Sequence, residues 1–208
     1  MTTQHPIRAL FLDVGGVLLT NGWDRNARRR AAQAFNLDYE QLNERHHLTF
    51  DTYESGKLSL DDYLERIVFY EPRPYTPADF TTFIMEQSQP FDDMIELVCR
   101  LKPQYGLKLV AVNNEGREIN GYRIAKFGLD KFFDAFVSSC YVHVRKPDTD
   151  IFRLALDIAQ LQPEQVVYID DRLMFVEVAQ ALGMNCIHHR SYDSTRQQLA
   201  AFGLVLAT

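Results

Sequence analysis

The chain reads as an α/β protein built on a parallel sheet, with a helical segment inserted after the first strand. Three observations predict this. From residue 107 onward strand signals alternate with helical ones, the rhythm of a parallel sheet with helices on both faces. Residues 7–12 form an apolar run that ends on Asp13, with Gly15 and Gly16 close behind. That pattern describes a buried strand delivering a carboxylate to its carboxyl end, where open α/β sheets bind ligands. Between residue 17 and about residue 89 the rhythm stops, and apolar groups recur three or four apart, as they do along a helix face.

In the second half, residues 107–112 read as a strand, 117–127 as a helix and 136–139 as a short strand. A helix over 149–159 and a strand over 166–169 follow, then a helix over 175–182 stopped by Gly183 and a last strand over 185–188. In the inserted part, 25–35, 39–46 and 60–70 have helical spacing. Ser59 is placed to cap the third of these, with Asp61 and Asp62 in its first turn facing the positive end of the helix dipole. Pro72, Pro74 and Pro77 break the region, and Thr76 or Pro77 starts the next helix. The expected division is a core of residues 1–18 and 90–208 and a helical insertion of 19–89.

A length of 208 residues accommodates one core domain with such an insertion. With 46% hydrophobic and 24% charged residues the chain belongs with ordinary globular proteins. Its net charge of -6 argues against general affinity for nucleic acid or an anionic membrane, whereas a phosphate pocket needs positive charge only locally. The first six residues carry no basic segment and Asp13 interrupts the apolar run behind them, so no secretory leader is expected. No uncharged apolar stretch approaches the ~18 residues that span a bilayer. Cys99, Cys140 and Cys186 are scattered without metal-site spacing and read as small hydrophobes in a reduced, cytoplasmic setting.

Four segments carry the chemistry: Asp13 after the first strand, Asn113 and Asn114 after the strand at 107–112, Lys146 before Pro147 in a loop, and Asp170 with Asp171 after the strand at 166–169. Two adjacent acids ending an apolar strand repel each other unless a cation offsets them, which points to a metal site. A lone lysine among such carboxylates balances their charge and stabilises a developing negative charge nearby.

In that order, and over nearly the whole chain, these segments resemble the haloacid dehalogenase superfamily of aspartate-nucleophile hydrolases. The resemblance implies a Rossmannoid parallel-sheet core with an inserted α-helical cap that closes over the site and helps select the substrate. It implies that Asp13 attacks phosphorus and that water cleaves the resulting aspartyl-phosphate. It also implies Mg2+ held by Asp13, the backbone carbonyl of Gly15 and Asp171, with Asp170 close by. Lys146 would hold the nucleophile and the transferring group. Asn113, where the family usually has Ser or Thr, would donate to phosphate, and Asn114 beside it either contacts phosphate or forms an Asx turn.

The substrate implied is a small phosphorylated metabolite. Trp23 and Arg25 follow the first strand closely and so emerge near the mouth of the site, as candidates for substrate selection. The run Arg28, Arg29 and Arg30 reads as a solvated helix face, residues 53–57 as a structural turn, and at most one of His46 and His47 is expected to face the site.

One departure matters. The family's second aspartate, two residues after the nucleophile, is Gly15 here. That aspartate protonates the leaving oxygen and then activates water, help typically worth about 10²–10⁴-fold. The chain is therefore expected to favour acyl, aryl or anomeric phosphates, whose leaving groups need no proton. Two alternatives stay open: a dehalogenase-like or other non-phosphatase hydrolase, and a non-catalytic member that binds a phosphorylated ligand or a protein partner. Whether the chain is a monomer or a homodimer is not written in the sequence.

Overall fold

The computed structural model describes residues 6–207; residues 1–5, on which the expectation of no leader partly rests, and Thr208 lie outside the described residues. Five strands form one sheet: β1 Ala9–Leu12, β2 Lys108–Asn113, β3 Ala135–Ser138, β4 Val166–Asp170 and β5 Asn185–His188. Every neighbouring pair is parallel and the order is β3-β2-β1-β4-β5. Leu12 lies opposite Ala111 of β2 and Ile169 of β4, so the carboxyl ends of these three strands open side by side. The chain steps from β1 to β2 on one side and reaches β4 on the other, and such a reversal leaves a crevice for a ligand.

The helices are α1 Arg25–Ala34, α2 Tyr39–Glu54, α3 Leu60–Ile67, α4 Pro77–Glu86, α5 Asp92–Tyr105, α6 Arg117–Phe127, α7 Ser139–Val142, α8 Thr149–Ala159, α9 Leu173–Ala181 and α10 Tyr192–Ala201. The period of two along the strands divides the core. Leu10, Leu12, Leu109, Ala111, Val167 and Ile169 share one cluster with Met94, Leu97 and Leu101 of α5 and Leu199 of α10. Ala9, Phe11, Val110, Val112 and Tyr168 share the other with Ile151 and Phe152 of α8 and Ala179 of α9. Burial of each large apolar side chain contributes about 1.5–3 kcal/mol, so covering the sheet on both faces is what makes it stable.

Helices α1–α4 pack around a third cluster of Ala31, Leu42, Tyr63, Leu64, Phe80 and Ile84, which Ile119 of α6 also joins. The chain enters and leaves this insertion through a paired neck. Thr20 N–H donates to the Gln89 carbonyl at 2.8 Å, and Gln89 N–H donates to Thr20 Oγ1 at 2.9 Å. Ser59 and Thr76 each form a reciprocal capping box, with Asp62 and Asp79, at the starts of α3 and α4.

Several boundaries differ from the sequence reading. Helix α2 runs to Glu54 rather than stopping near residue 46, and β4 includes Asp170, which pairs with His188 of β5. Ser139, read as strand, starts the short α7. Helices α5 and α10 carry no periodicity-based expectation. In α5, Pro103 sits in the last turn, where it disturbs the pattern although Gly106 ends the helix at φ 63°. Among the described residues no helix is long and apolar enough to cross a membrane.

Candidate active site

Asp13 follows β1 immediately, and its Oδ1 accepts from the Val14 N–H at 2.8 Å. Lys146 is fully buried, which an ammonium tolerates only among anions. Its Nζ lies 2.6 Å from Asp170 Oδ2 and 3.3 Å from Asp13 Oδ1, and also donates to Tyr168 Oη at 3.1 Å. Tyr168 O–H donates in turn to Asp170 Oδ2. Period two along β4 places Tyr168 and Asp170 on one face, which is how an aromatic residue in an apolar strand comes to hold a carboxylate. The Asp170 Oδ1 accepts from Arg172 N–H at 2.7 Å, so both of its oxygens are occupied by protein donors.

Asp171 is arranged differently. Its Oδ2 accepts from Asn21 Nδ2 at 2.9 Å, while its buried Oδ1 has no hydrogen-bond partner. Arg172 Nε, on a largely exposed side chain, stands 3.7 Å from that oxygen. One carboxylate oxygen from each of Asp13, Asp170 and Asp171 lies within 4.8 Å of the others. Three carboxylates thus meet one ammonium, and the surplus is negative. Burial pushes the Asp13 carboxyl up to about 7; Lys146 opposes this, and Asp170 and Asp171 add to it. Burial alone would depress the Lys146 pKa, but Asp13 and Asp170 outweigh it and hold the ammonium above its ordinary value. Hard oxygen donors, surplus negative charge and an orphaned buried oxygen fit a divalent cation such as Mg2+. Asp13 and Asp171 could ligate such an ion, while Asp170 is engaged by Lys146.

These groups open into a cavity of about 410 Å3, within the range of small-molecule sites. Asp13, Gly15, Asn114, Lys146 and Arg172 line it from the core, and Trp23, Arg25, Arg28, His46, His47 and Glu54 line it from the insertion. The two asparagines depart from the expected phosphate contacts. Asn113 is buried outside the cavity lining, where Nδ2 donates to Asn120 Oδ1 at 3.0 Å and Oδ1 accepts from Ser138 Oγ at 2.7 Å. Asn114 lines the cavity, but its amide clasps the Lys146 backbone. It donates to the Lys146 carbonyl and accepts from the Lys146 N–H, both at 2.8 Å. An asparagine has few hydrogen-bonding groups, and here protein partners engage both ends of each amide.

Other expectations shift as well. Arg28 is not on a solvated face; it is 5% exposed. Both His46 and His47 line the cavity, their rings 5.3 Å apart. Tyr53 and Glu54, read as part of a structural turn, end α2 and line the cavity too. Burial pushes the Glu54 carboxyl up to about 7 even though Arg145 Nη2 sits 2.6 Å away. Trp23 lines the cavity while its Nε1 donates to Tyr63 Oη at 2.8 Å. Sequence reasoning also missed the roles of Asn21, of Tyr168, and of Arg123, which lines the cavity and pairs with Glu115 at 2.8 Å. Of these, Tyr168 carried a signal, its place two residues before Asp170.

Residues 7–183 match the family model of haloacid dehalogenase-like hydrolases, and the chain belongs to that family. Drimenol cyclase drtB of Aspergillus calidoustus is 26% identical over 203 residues, covering 93% of this chain but 36% of the cyclase, so the chain spans about a third of that relative. The phosphorylated carbohydrates phosphatase of Thermotoga maritima is 23% identical over 192 residues, covering 88% of this chain and 84% of the phosphatase. Among solved structures, the HAD-family enzyme BT-2542 of Bacteroides thetaiotaomicron superposes with a TM-score of 0.77 at 18% identity, covering 95% of this chain and 99% of that one. At that identity the likeness shows the fold. BT-2542 has also been solved in complex with magnesium and inorganic phosphate.

Proposed function

We propose that this chain is a Mg2+-dependent phosphatase of a small phosphorylated metabolite, with residues 19–89 as a cap over a core of 1–18 and 90–208. The observation that carries the reading is Asp13, a carboxylate at the floor of the cavity beside the buried Lys146 ammonium, 3.3 Å away. A carboxylate so placed is the nucleophile: its oxygen bonds to phosphorus as the ester oxygen leaves, and water then cleaves the acyl-phosphate. Mg2+, held by Asp13, the Gly15 carbonyl and Asp171, would screen the repulsion between carboxylate and phosphate. Lys146, fixed by Asn114, Tyr168 and Asp170, supplies a preorganised positive charge beside the phosphoryl group. The likeness to the Thermotoga maritima phosphatase along most of both chains supports the same class of substrate.

The leaving oxygen receives no help from position 15. The Asn21 amide occupies the space beside Gly15 and cannot ionise. Acyl, aryl and anomeric phosphates, which leave without a proton, therefore suit the site best. The test is a panel of phosphate esters assayed with Mg2+ and with EDTA, alongside Asp13→Asn. Turnover of nitrophenyl phosphate is expected to need Mg2+ and to fall below a tenth of wild type in the variant. Phosphate-ester turnover that persists in EDTA overturns the Mg2+ dependence; metal-independent hydrolysis of a 2-haloacid with no phosphate ester turned over favours a dehalogenase-like hydrolase, and phosphate binding without turnover favours a non-catalytic role.

A further inference from the structure

The cavity has two walls of different chemistry. Asp13 and Lys146 line it from the sheet, and the inserted segment contributes Arg28 and His46, together with Trp23 and Phe50. Arg28 is almost fully buried, and among the described residues its guanidinium forms no direct ion pair, although the nearby Asp24 carboxylate favours its charge from beyond contact. Its Nε and Nη2 donate to Asn43 Oδ1 at 3.3 and 3.1 Å, and its Nη1 donates to the Trp23 carbonyl at 2.8 Å. These partners are neutral. The nearest acid in sequence, Asp24, caps α1 through the Ala27 N–H at 2.7 Å. A guanidinium has five N–H donors, so one on each terminal nitrogen is left without a protein acceptor. A buried charge whose hydrogen bonds all go to neutral groups is costly, and a ligand that supplies a direct counter-charge offsets that cost.

His46 adds a donor whose tautomer the hydrogen bonds favour. Tyr63 Oη accepts from Trp23 Nε1 at 2.8 Å, and the acceptor the structure shows for the buried Tyr63 proton is His46 Nδ1 at 2.7 Å, so the arrangement that satisfies every donor has Tyr63 donating to Nδ1. In that arrangement Nδ1 is an acceptor, and the neutral ring carries its proton on Nε2. Burial and the nearby Arg28 push the pKa down to about 3, which keeps the ring uncharged. Phe50 stacks on the ring with centroids 5.0 Å apart and fixes its plane.

We propose that Arg28 and His46 bind a second oxyanion of the substrate, a carboxylate or a second phosphate, at the end of the molecule remote from the reacting phosphate. The substrate class is then a small phosphate ester of a few carbons that carries another acid group, which a cavity of about 410 Å3 accommodates. This rests on the phosphatase reading for the reacting group, and binding measured without turnover separates the two.

Calorimetry with Mg2+ present compares ω-carboxyalkylphosphonates of two to four methylenes with alkylphosphonates of the same length; α,ω-bisphosphonates form a third arm that identifies which oxyanion is preferred. At one chain length the second acid group is expected to lower Kd about tenfold or more, the effect of a charge-assisted hydrogen bond. Arg28→Met and His46→Phe should each erase most of that advantage, and Arg28→Lys should keep part of it. Because Arg28 also holds Asn43 and Trp23, His46→Phe serves as the independent variant if Arg28→Met does not fold. Equal affinity of acid and neutral phosphonates for the wild type overturns the proposal, as does no binding of any phosphonate, or an undiminished advantage in His46→Phe. If acid phosphonates bind preferentially while no phosphate ester is hydrolysed, the subsite stands and the phosphatase reading falls.

Discussion

Gly15 and Asn21 share one space. A Cβ on Gly15 would lie 2.7 Å from Asn21 Oδ1, while the Gly15 backbone has no positive φ. Gly16 is the constrained glycine: its φ is 76°, and a Cβ there would lie 2.2 Å from Asp171 Oδ2. Gly15→Asp alone should therefore displace Asn21 and loosen its bond to Asp171, lowering the melting temperature. Gly15→Asp combined with Asn21→Gly should relieve that clash and supply the missing acid, at the cost of the Asn21 donor to Asp171. Hydrolysis of an alkyl phosphate should then rise more than hydrolysis of nitrophenyl phosphate, and an unchanged ratio in a stable double variant would show that protonation does not limit the reaction. His46 carries a pH prediction. Its pKa falls from 6.5 to about 3 on folding, so the unfolded chain binds a proton that the folded one refuses. Its contribution to stability is intact above pH 6.5 and declines as pH falls towards 3, amounting to a loss of about 2 kcal/mol by pH 5. Urea unfolding at pH 7 and pH 5 should show a smaller loss in His46→Gln than in wild type.

At the scale of elements, α6 ties the core to the neck of the insertion. Arg123 reaches Glu115 at 2.8 Å, Ser88 Oγ at 3.0 Å and the Thr20 carbonyl at 3.0 Å, all from a buried position. Arg123→Met should cost about 3–5 kcal/mol in urea unfolding, because it strands the Glu115 carboxylate in a place where burial already raises its pKa. If Glu115→Gln in the same background recovers nothing, the stranded charge is not the cause. Ser59→Ala should cost about 1 kcal/mol through the lost cap of α3. The caps of α3 and α4 were readable because a cap is local, a side chain three residues from the N–H it satisfies. The end of α2 was not. Its last two turns keep no clean apolar stripe, since Phe50 and Glu54 line the cavity and Tyr53 both lines it and joins the cluster of the inserted helices.

For the whole molecule, the three carboxylates make metal binding and stability one question. A ligand that binds only the folded state stabilises it by about 2.7 kcal/mol at a hundredfold excess over Kd. Mg2+ should raise the melting temperature of the wild type, and Asp171→Ala should abolish that rise together with turnover. A variant that keeps the full thermal response would place the metal elsewhere.

The fold class and the order of the chemistry-bearing segments were legible in the sequence by itself. Strand period, helix spacing and strand-end acids are written in neighbouring residues, and a parallel sheet must carry Asp13, Asn113, Asp170 and Asp171 to one edge, whatever packs around it. Lys146 could be placed there only through the resemblance. The tertiary structure alone decided which side chains face the cavity. Asn113 turns out to satisfy Asn120 and Ser138, Asn114 to clasp the Lys146 backbone, Asn21 to fill the space beside Gly15, and Arg28 to be buried against Asn43 and Trp23. The partners lie as far as 32 residues away in sequence. A polar group's role is set by the donors and acceptors that surround it, and for these residues that surrounding exists only once the sheet and the inserted helices have packed.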